Sequence, residues 1–368
     1  MNKTLKEKIM NNQNILFIVR TMGLGGTENV VLQLCEILLG CANKIVVCSS
    51  GGVHEETLKK MGVKHYYVPD IASKNPLDII KSYKTIKKIV KDEKITVVHS
   101  HHRMAALYAE LITNKDIIKI ATAHNTFENK RELTRFAYKN TKLIAVGEMV
   151  KKNLVDYFGI SESQVTVIHN AIKPFSDEVV EIEQLKQERM KGNILIGNIG
   201  RLSEQKGMSY FIDAAELTLK GYPNVKFFIV GDGELKDELI QKVNKKNLNN
   251  SIVFLGYRSD IQNTMSQFDF IVLSSLWEGF PLTPIEAFSV GKTVIGTAVD
   301  GTPEIIKDGV NGLLVETRNA KQLSEKMNTI IANSDYRKKL EQRAKQSYLR
   351  EFSFEKLAEK YIAYYERL

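Results

Sequence analysis

Glu278 and Glu286 bracket the stretch Glu278-Gly279-Phe280-Pro281-Leu282-Thr283-Pro284-Ile285-Glu286. An apolar run at 270–273 precedes it and reads as a strand; an apolar helix follows it. The loop between them is expected to set two carboxylates and several free backbone N–H groups around one small volume. N–H groups at a helix start attract phosphate. Carboxylates accept hydrogen bonds from sugar hydroxyls. A site holding both suits a sugar attached to a diphosphate.

A second group is Gly200-Arg201-Leu202-Ser203-Glu204-Gln205-Lys206-Gly207. Arg201 at a strand end and Lys206 at a helix start can clamp a diphosphate from two directions. They can also neutralise charge that builds on a leaving nucleoside diphosphate. In Gly23-Leu24-Gly25-Gly26-Thr27-Glu28 the glycines allow a backbone to approach phosphate closely. This stretch is no dinucleotide fingerprint, because Glu28, followed by Asn29, stands where the last glycine is needed, and no P-loop, because no Gly-Lys-Ser/Thr ends it. His124 follows an apolar strand, and His99, His101 and His102 cluster after another. The histidines lack a carboxylate or cysteine at metal-ligand spacing, and neighbours on an extended chain point opposite ways, so no metal is expected.

These side chains need a frame, and the sequence supplies an alternating one. Strand patterns fall at 15–19, 45–48, 65–68, 97–99, 118–122, 143–146 and 165–168, with helical patterns between them, as at 27–39 and 77–91. A second series falls at 194–199, 227–230, 252–255, 270–273, 293–296 and 313–315. Alternation of this kind predicts parallel sheets in an α/β fold. Residues 170–191, with a proline and a glutamate run, read as a linker. Each half opens with a strand, a glycine loop and a helix, which predicts two doubly wound domains facing a central cleft, with ligands beyond the carboxyl ends of the strands. The tail, 352–368, reads as an amphipathic helix with Phe354, Leu357, Tyr361 and Tyr364/Tyr365 along one side.

At 368 residues the chain exceeds one compact core, and its 43% hydrophobic and 26% charged content is that of a soluble globular protein. No apolar run approaches the ~20 residues that span a bilayer. Residues 1–14 are polar and carry no signal-peptide pattern. Cys35, Cys41 and Cys48 suggest neither a disulfide framework nor a metal site. Cytoplasmic residence is the expectation. The net charge of +9 sits wholly in the first 172 residues, which carry 25 Lys+Arg against 16 Asp+Glu, while the remainder balances 27 against 27. That asymmetry suggests an anionic partner for the N-terminal half.

The run from Glu278 to Glu286 resembles the glutamate–seven residues–glutamate signature of family 4 retaining glycosyltransferases. So do Gly200-Arg201 with Lys206-Gly207, Val230-Gly231-Asp232-Gly233, Gly301-Thr302-Pro303-Glu304 and Asn311-Gly312-Leu313-Leu314, and in the first half Gly25-Gly26-Thr27-Glu28 and His124. The resemblance implies a GT-B architecture: an acceptor-side Rossmann-like domain over 1–172, a donor-binding one over 190–350, and a C-terminal helix, 353–368, crossing back to the first. It implies transfer from a nucleoside-diphosphate sugar with retained configuration, without cofactor or obligatory metal. Arg201 and Lys206 would hold the donor diphosphate and the departing charge. Glu286 would take the ribose hydroxyls. Glu278 would accept from the sugar ring, with Gly279, Phe280, Pro281, Leu282 and Thr283 lining sugar and phosphate. Gly25 and Gly26 would lie against the diphosphate, His124 near the reacting carbon, and Tyr257 and Arg258 by the base.

With both glutamates assigned to hydroxyls, same-face attack is expected rather than a covalent intermediate. The donor sugar is expected to be a hexose or N-acetylhexosamine, carried on uridine diphosphate as the family's commonest choice. Lys81, Lys84, Lys87, Lys88 and Lys91, with Lys139, Lys142, Lys151 and Lys152, suggest an anionic membrane surface. They suggest a lipid-linked saccharide acceptor, with a soluble acceptor as the alternative, a peripheral place on the inner face of the cell membrane, and a role in capsule, exopolysaccharide or glycolipid assembly. The rival readings are a nucleotide-sugar 2-epimerase of the same fold and a nucleic-acid binder. The second lacks any short basic–aromatic recognition motif.

Overall fold

A computed structural model describes residues 13–175 and 178–368. The reading of residues 1–14 as free of a signal peptide falls almost wholly outside them. The chain divides into two compact units, Met1–Asn170 with Leu357–Leu368, and Ala171–Lys356.

In the first unit seven strands form one parallel sheet: β1 (Asn14–Ile18), β2 (Lys44–Ser49), β3 (Lys64–Tyr67), β4 (Val97–Ser100), β5 (Ile118–Ala123), β6 (Lys142–Ala145) and β7 (Val165–Val167). Their order is β3-β2-β1-β4-β5-β6-β7. Ile15 pairs with Ile45 on one side and Val97 on the other. β1 is buried on both faces, as a central parallel strand covered by helices must be. Leu16, Ile18, Val46 and Val98 form a core with Ile86, Ile89 and Val90 from the helix Pro76–Asp92. Asn75 starts that helix, accepting a hydrogen bond from Leu77 N, and Pro76 occupies its first turn.

The second unit repeats the plan with six strands: β8 (Ile194–Ile199), β9 (Val225–Val230), β10 (Ile252–Gly256), β11 (Phe270–Leu273), β12 (Val294–Thr297) and β13 (Gly312–Val315). The order is β10-β9-β8-β11-β12-β13. In both sheets the chain winds outward from the first strand, then returns to its other side. The reversal lies between β1 and β4 in one sheet and between β8 and β11 in the other. Ligands in such sheets bind at the carboxyl end of this reversal.

The terminal helix, Phe354–Tyr365, buries Leu357, Tyr361, Ile362 and Tyr365. Residues from Leu357 onward belong to the first unit. The Tyr365 hydroxyl meets His99 Nδ1 at 2.7 Å, and Gln13 Nε2 donates to Tyr365 O at 3.4 Å. The segment 170–191 is not all linker: Glu183–Met190 is a helix. It is tethered within its own unit, since Val180 N and Ile182 N donate to the side chains of Asn263 and Gln267. Leu185 is its one buried residue, too little apolar content to stand out as a periodic stripe.

Candidate active site

In the second unit the loops after β8 and β11, neighbours at the chain reversal, are bound backbone to backbone. Gly207 sits at φ 57°, and a Cβ there would lie 2.2 Å from Ser274 O. Only glycine satisfies both demands. Ser274 Oγ donates to Lys206 O at 2.9 Å and itself accepts from Asn198 Nδ2 at 2.9 Å. Leu276 N donates to Gln205 O at 2.7 Å. Lys206 is therefore held from β8 and β11 together.

Its ammonium reaches Glu278 Oε1 at 2.6 Å, and Ser275 Oγ donates to the same oxygen at 2.6 Å. Glu278 is only 7% exposed, so this carboxylate is already paired and largely withdrawn from water. Its backbone N–H donates to Asp300 Oδ2 at 2.7 Å. Asp300 takes a left-handed φ of 41°, a conformation that aspartate tolerates better than most residues. Gly301 N donates to Gly279 O at 3.1 Å, so the loop after β12 braces the acidic loop.

Glu286 lies in the first turn of the helix Thr283–Ser289 and is half-buried. Burial pushes its carboxyl up to about 7, and the positive charge of Lys206 opposes that rise. Lys206 thus acts on both glutamates. The N–H groups of Gly279, Leu282 and Thr283 make no hydrogen bond among the described residues, whereas that of Glu278 is taken. Arg201 is 74% exposed at its side chain and touches Glu234 at 3.3 Å. An exposed ion pair of this kind holds its partners weakly, so the guanidinium is available to an anion. Tyr257 is 64% exposed, but the neighbouring Arg258 spends its fork on Asp260 at 2.8 and 2.7 Å. Asn198, Ser274, Ser275 and Asp300 complete the site, and sequence reasoning singled out none of them.

The first unit has its own cluster at the carboxyl ends of β4 and β5. His101 Nδ1 meets His124 Nε2 at 3.1 Å, and the rings stack with centroids 5.4 Å apart. His99 stacks on His101 at 4.5 Å and spends both ring nitrogens, on Tyr365 Oη and on Thr122 Oγ1. Burial lowers the pKa of His99 to about 3, of His124 to about 4, and of His101 well below the usual value. All three are neutral at pH 7. His101 Nε2 is buried without a partner. A buried orphan N–H is rarer than an orphan acceptor. The favoured tautomer therefore has His101 Nδ1–H donating, which leaves His124 with an Nδ1–H to offer. His102 is occupied elsewhere, capping the helix Arg103–Glu110 through Met104 N. No group of three His, Cys, Asp or Glu among the described residues is arranged to hold a metal ion. Gly25 precedes the helix Gly26–Leu38 because the Glu28 carboxylate folds over it; a Cβ would lie 2.3 Å from Glu28 Oε2. Thr21 Oγ1 donates to that carboxylate at 2.5 Å.

Comparison with known proteins agrees across both units. Residues 180–347 match the family model described as glycosyl transferases group 1, and residues 24–174 match that of glycosyltransferase family 4. A glycosyltransferase of Methanocaldococcus jannaschii is 31% identical over 303 residues, covering 79% of this chain and 80% of its own. The chain belongs to the family 4 glycosyltransferases. This glycosyltransferase is also 28% identical over 320 residues to the UDP-Gal:alpha-D-GlcNAc-diphosphoundecaprenol alpha-1,3-galactosyltransferase of Escherichia coli, over 80% of this chain and 81% of that one. Its fold matches a Rickettsia africae glycosyltransferase with TM-score 0.84 at 23% identity, over 97% and 98% of the two chains. It also matches the Anabaena protein HepE, solved with UDP, with TM-score 0.82 at 21% identity, over 97% and 100%. The GT-B reading of the sequence is thereby borne out.

Proposed function

We propose that this glycosyltransferase moves a hexose or N-acetylhexosamine from a uridine-diphosphate sugar to a lipid-linked saccharide, with retained anomeric configuration. The observation that carries this reading is the Lys206–Glu278 pair at the reversal of the second sheet, with Glu286 in the first turn of the helix that follows. One cation there faces a paired acid fixed by Ser275 and a second acid whose carboxyl is unbonded among the described residues. The UDP of the Anabaena neighbour and the diphosphoundecaprenol-linked substrate named for the Escherichia coli relative support it.

Arg201 and Lys206 bind the donor diphosphate and neutralise the charge that grows as the glycosidic bond breaks. Glu286, once ionised, accepts from the ribose hydroxyls. Glu278 accepts from the sugar ring through its second oxygen. His124 offers its Nδ1–H to a sugar oxygen. With Glu278 paired to Lys206 and Ser275 and Glu286 assigned to the ribose, neither glutamate serves as the nucleophile, so the acceptor attacks from the face that the diphosphate leaves, and the departing phosphate takes the acceptor proton. The protein supplies positioning and charge stabilisation. It needs no resident cofactor and no obligatory metal.

The test incubates the enzyme with a panel of uridine-diphosphate sugars and an undecaprenyl-diphosphate-linked N-acetylhexosamine, with and without EDTA. One α-linked product, formed equally with chelator, is expected. A β-linked product would overturn retention. A change of stereochemistry in the nucleotide sugar alone would favour the 2-epimerase.

A further inference from the structure

The helix Pro76–Asp92 packs Ile86, Ile89 and Val90 inward, and what it leaves outward is not an ordinary solvated face. Leu77 is 74% exposed and Ile80 50%. At helical spacing they share one side with Lys81, Lys84, Lys88 and Lys91, all of them exposed. Lys88 pairs with Asp92 at 3.2 Å, whereas Lys81, Lys84 and Lys91 form no ion pair among the described residues. Buried side chains of the same helix account for its folding, so nothing internal requires an outward Leu77 or Ile80.

The topology orients this face. The helix follows β3, so its first turn stands at the carboxyl ends of the first sheet, on the rim that carries His101 and His124. Val53, after β2, and Tyr67, at the end of β3, are each 64% exposed on that same rim. From there the helix runs ~25 Å towards the amino ends of the strands. At its far end a cavity of about 460 Å³ is lined by Lys87, Lys91 and Lys94, with Asp116 as its one acid. Apolar side chains at one end and cations along the length are the pattern of a helix that lies in a membrane interface, its lysine stems flexible enough to reach headgroups.

We propose that this outward face docks the enzyme on an anionic phospholipid surface, inserting Leu77 and Ile80 beside the rim where a lipid-linked acceptor is met. This deepens the functional reading above and rests on it for the acceptor alone; the docking itself stands on the helix.

The test is sedimentation of the full chain with phosphatidylcholine vesicles, with and without phosphatidylglycerol, at low salt. Binding is expected only where phosphatidylglycerol is present. The triple variant Lys81→Glu/Lys84→Glu/Lys91→Glu is expected to lose roughly tenfold or more of that binding. Leu77→Ser/Ile80→Ser is expected to lose severalfold, while Lys245→Glu/Lys321→Glu, two exposed lysines of the second unit, keeps most of it. All variants are expected to transfer sugar to a short-chain, water-soluble acceptor as the wild type does. Absence of wild-type binding, or binding undiminished in both helix variants, overturns the docking face. Failure of the wild type on the soluble acceptor, with vesicle binding intact, counts instead against the functional reading.

Discussion

Lys206 and Glu278 form a buried pair whose value lies in what each does to the other. Removing the cation strands a nearly buried carboxylate, and removing the carboxylate frees an ammonium to relax away from the diphosphate. Lys206→Ala and Glu278→Gln are each expected to lower kcat by about two orders of magnitude. Steady-state assays of correctly folded protein check this, and wild-type turnover in both would remove the site. Glu286 gives a separate pH signature. Its carboxyl, raised to about 7, is largely protonated at pH 6, and ribose hydroxyls prefer the ionised form. Affinity for UDP is therefore expected to rise between about pH 6 and 8, and Glu286→Gln to flatten that rise, as calorimetry at several pH values can show. Lys206, Glu278 and Glu286 were legible as types and spacings. Ser275 and Asp300 were not, because a serine or aspartate reveals its partner only once β11 and β12 lie side by side.

At the scale of elements, the strand-end loops depend on glycines that admit no substitute. Gly207→Ala combines a positive φ with a Cβ 2.2 Å from a carbonyl oxygen. It is expected to cost at least about 1–3 kcal/mol in chemical denaturation and to lower turnover by displacing the adjacent Lys206. Gly221→Ala, which meets nothing within 4 Å, serves as the control and is expected to stay within about 0.5 kcal/mol. The thirteen strands were readable because buried parallel strands are dense apolar runs bounded by polar turns. Their ends moved by a residue or two, where hydrogen bonding to a neighbour and not side-chain type decides the limit. The helix Glu183–Met190 escaped notice because it is anchored through backbone bonds to Asn263 and Gln267, which leave no periodic trace.

For the molecule as a whole, the neutral histidines of the first unit tie its stability to pH. His99 and His101 are 0% and 3% exposed, and both stay unprotonated in the fold far below the pH at which an unfolded chain binds their protons. Between about pH 6 and 5 the unfolded state therefore holds the extra protons, and stability falls as pH falls, by about 2.7 kcal/mol per pH unit for the pair. Denaturant melts of the full chain across that range measure the slope, and His99→Gln is expected to lower it by one histidine's share. The charge asymmetry between the halves was plain in composition. Lys81, Lys84, Lys87, Lys88 and Lys91 were legible as a helical stripe, but the exposed Leu77 and Ile80 beside them needed the folded chain, because only burial of Ile86 and Ile89 decides which side of that helix is left outside. Among the described residues no helix is long and apolar enough to cross a membrane.

The last twelve residues complete the first domain and not the second. A ribosome making this protein therefore releases the seven-stranded sheet long before the piece that covers His99. The second domain has all of its own strands while the first still waits with the seat of Tyr361 and Tyr365 open. The half translated first is thus the last to be complete, and a stop codon just before Leu357 is expected to injure that half.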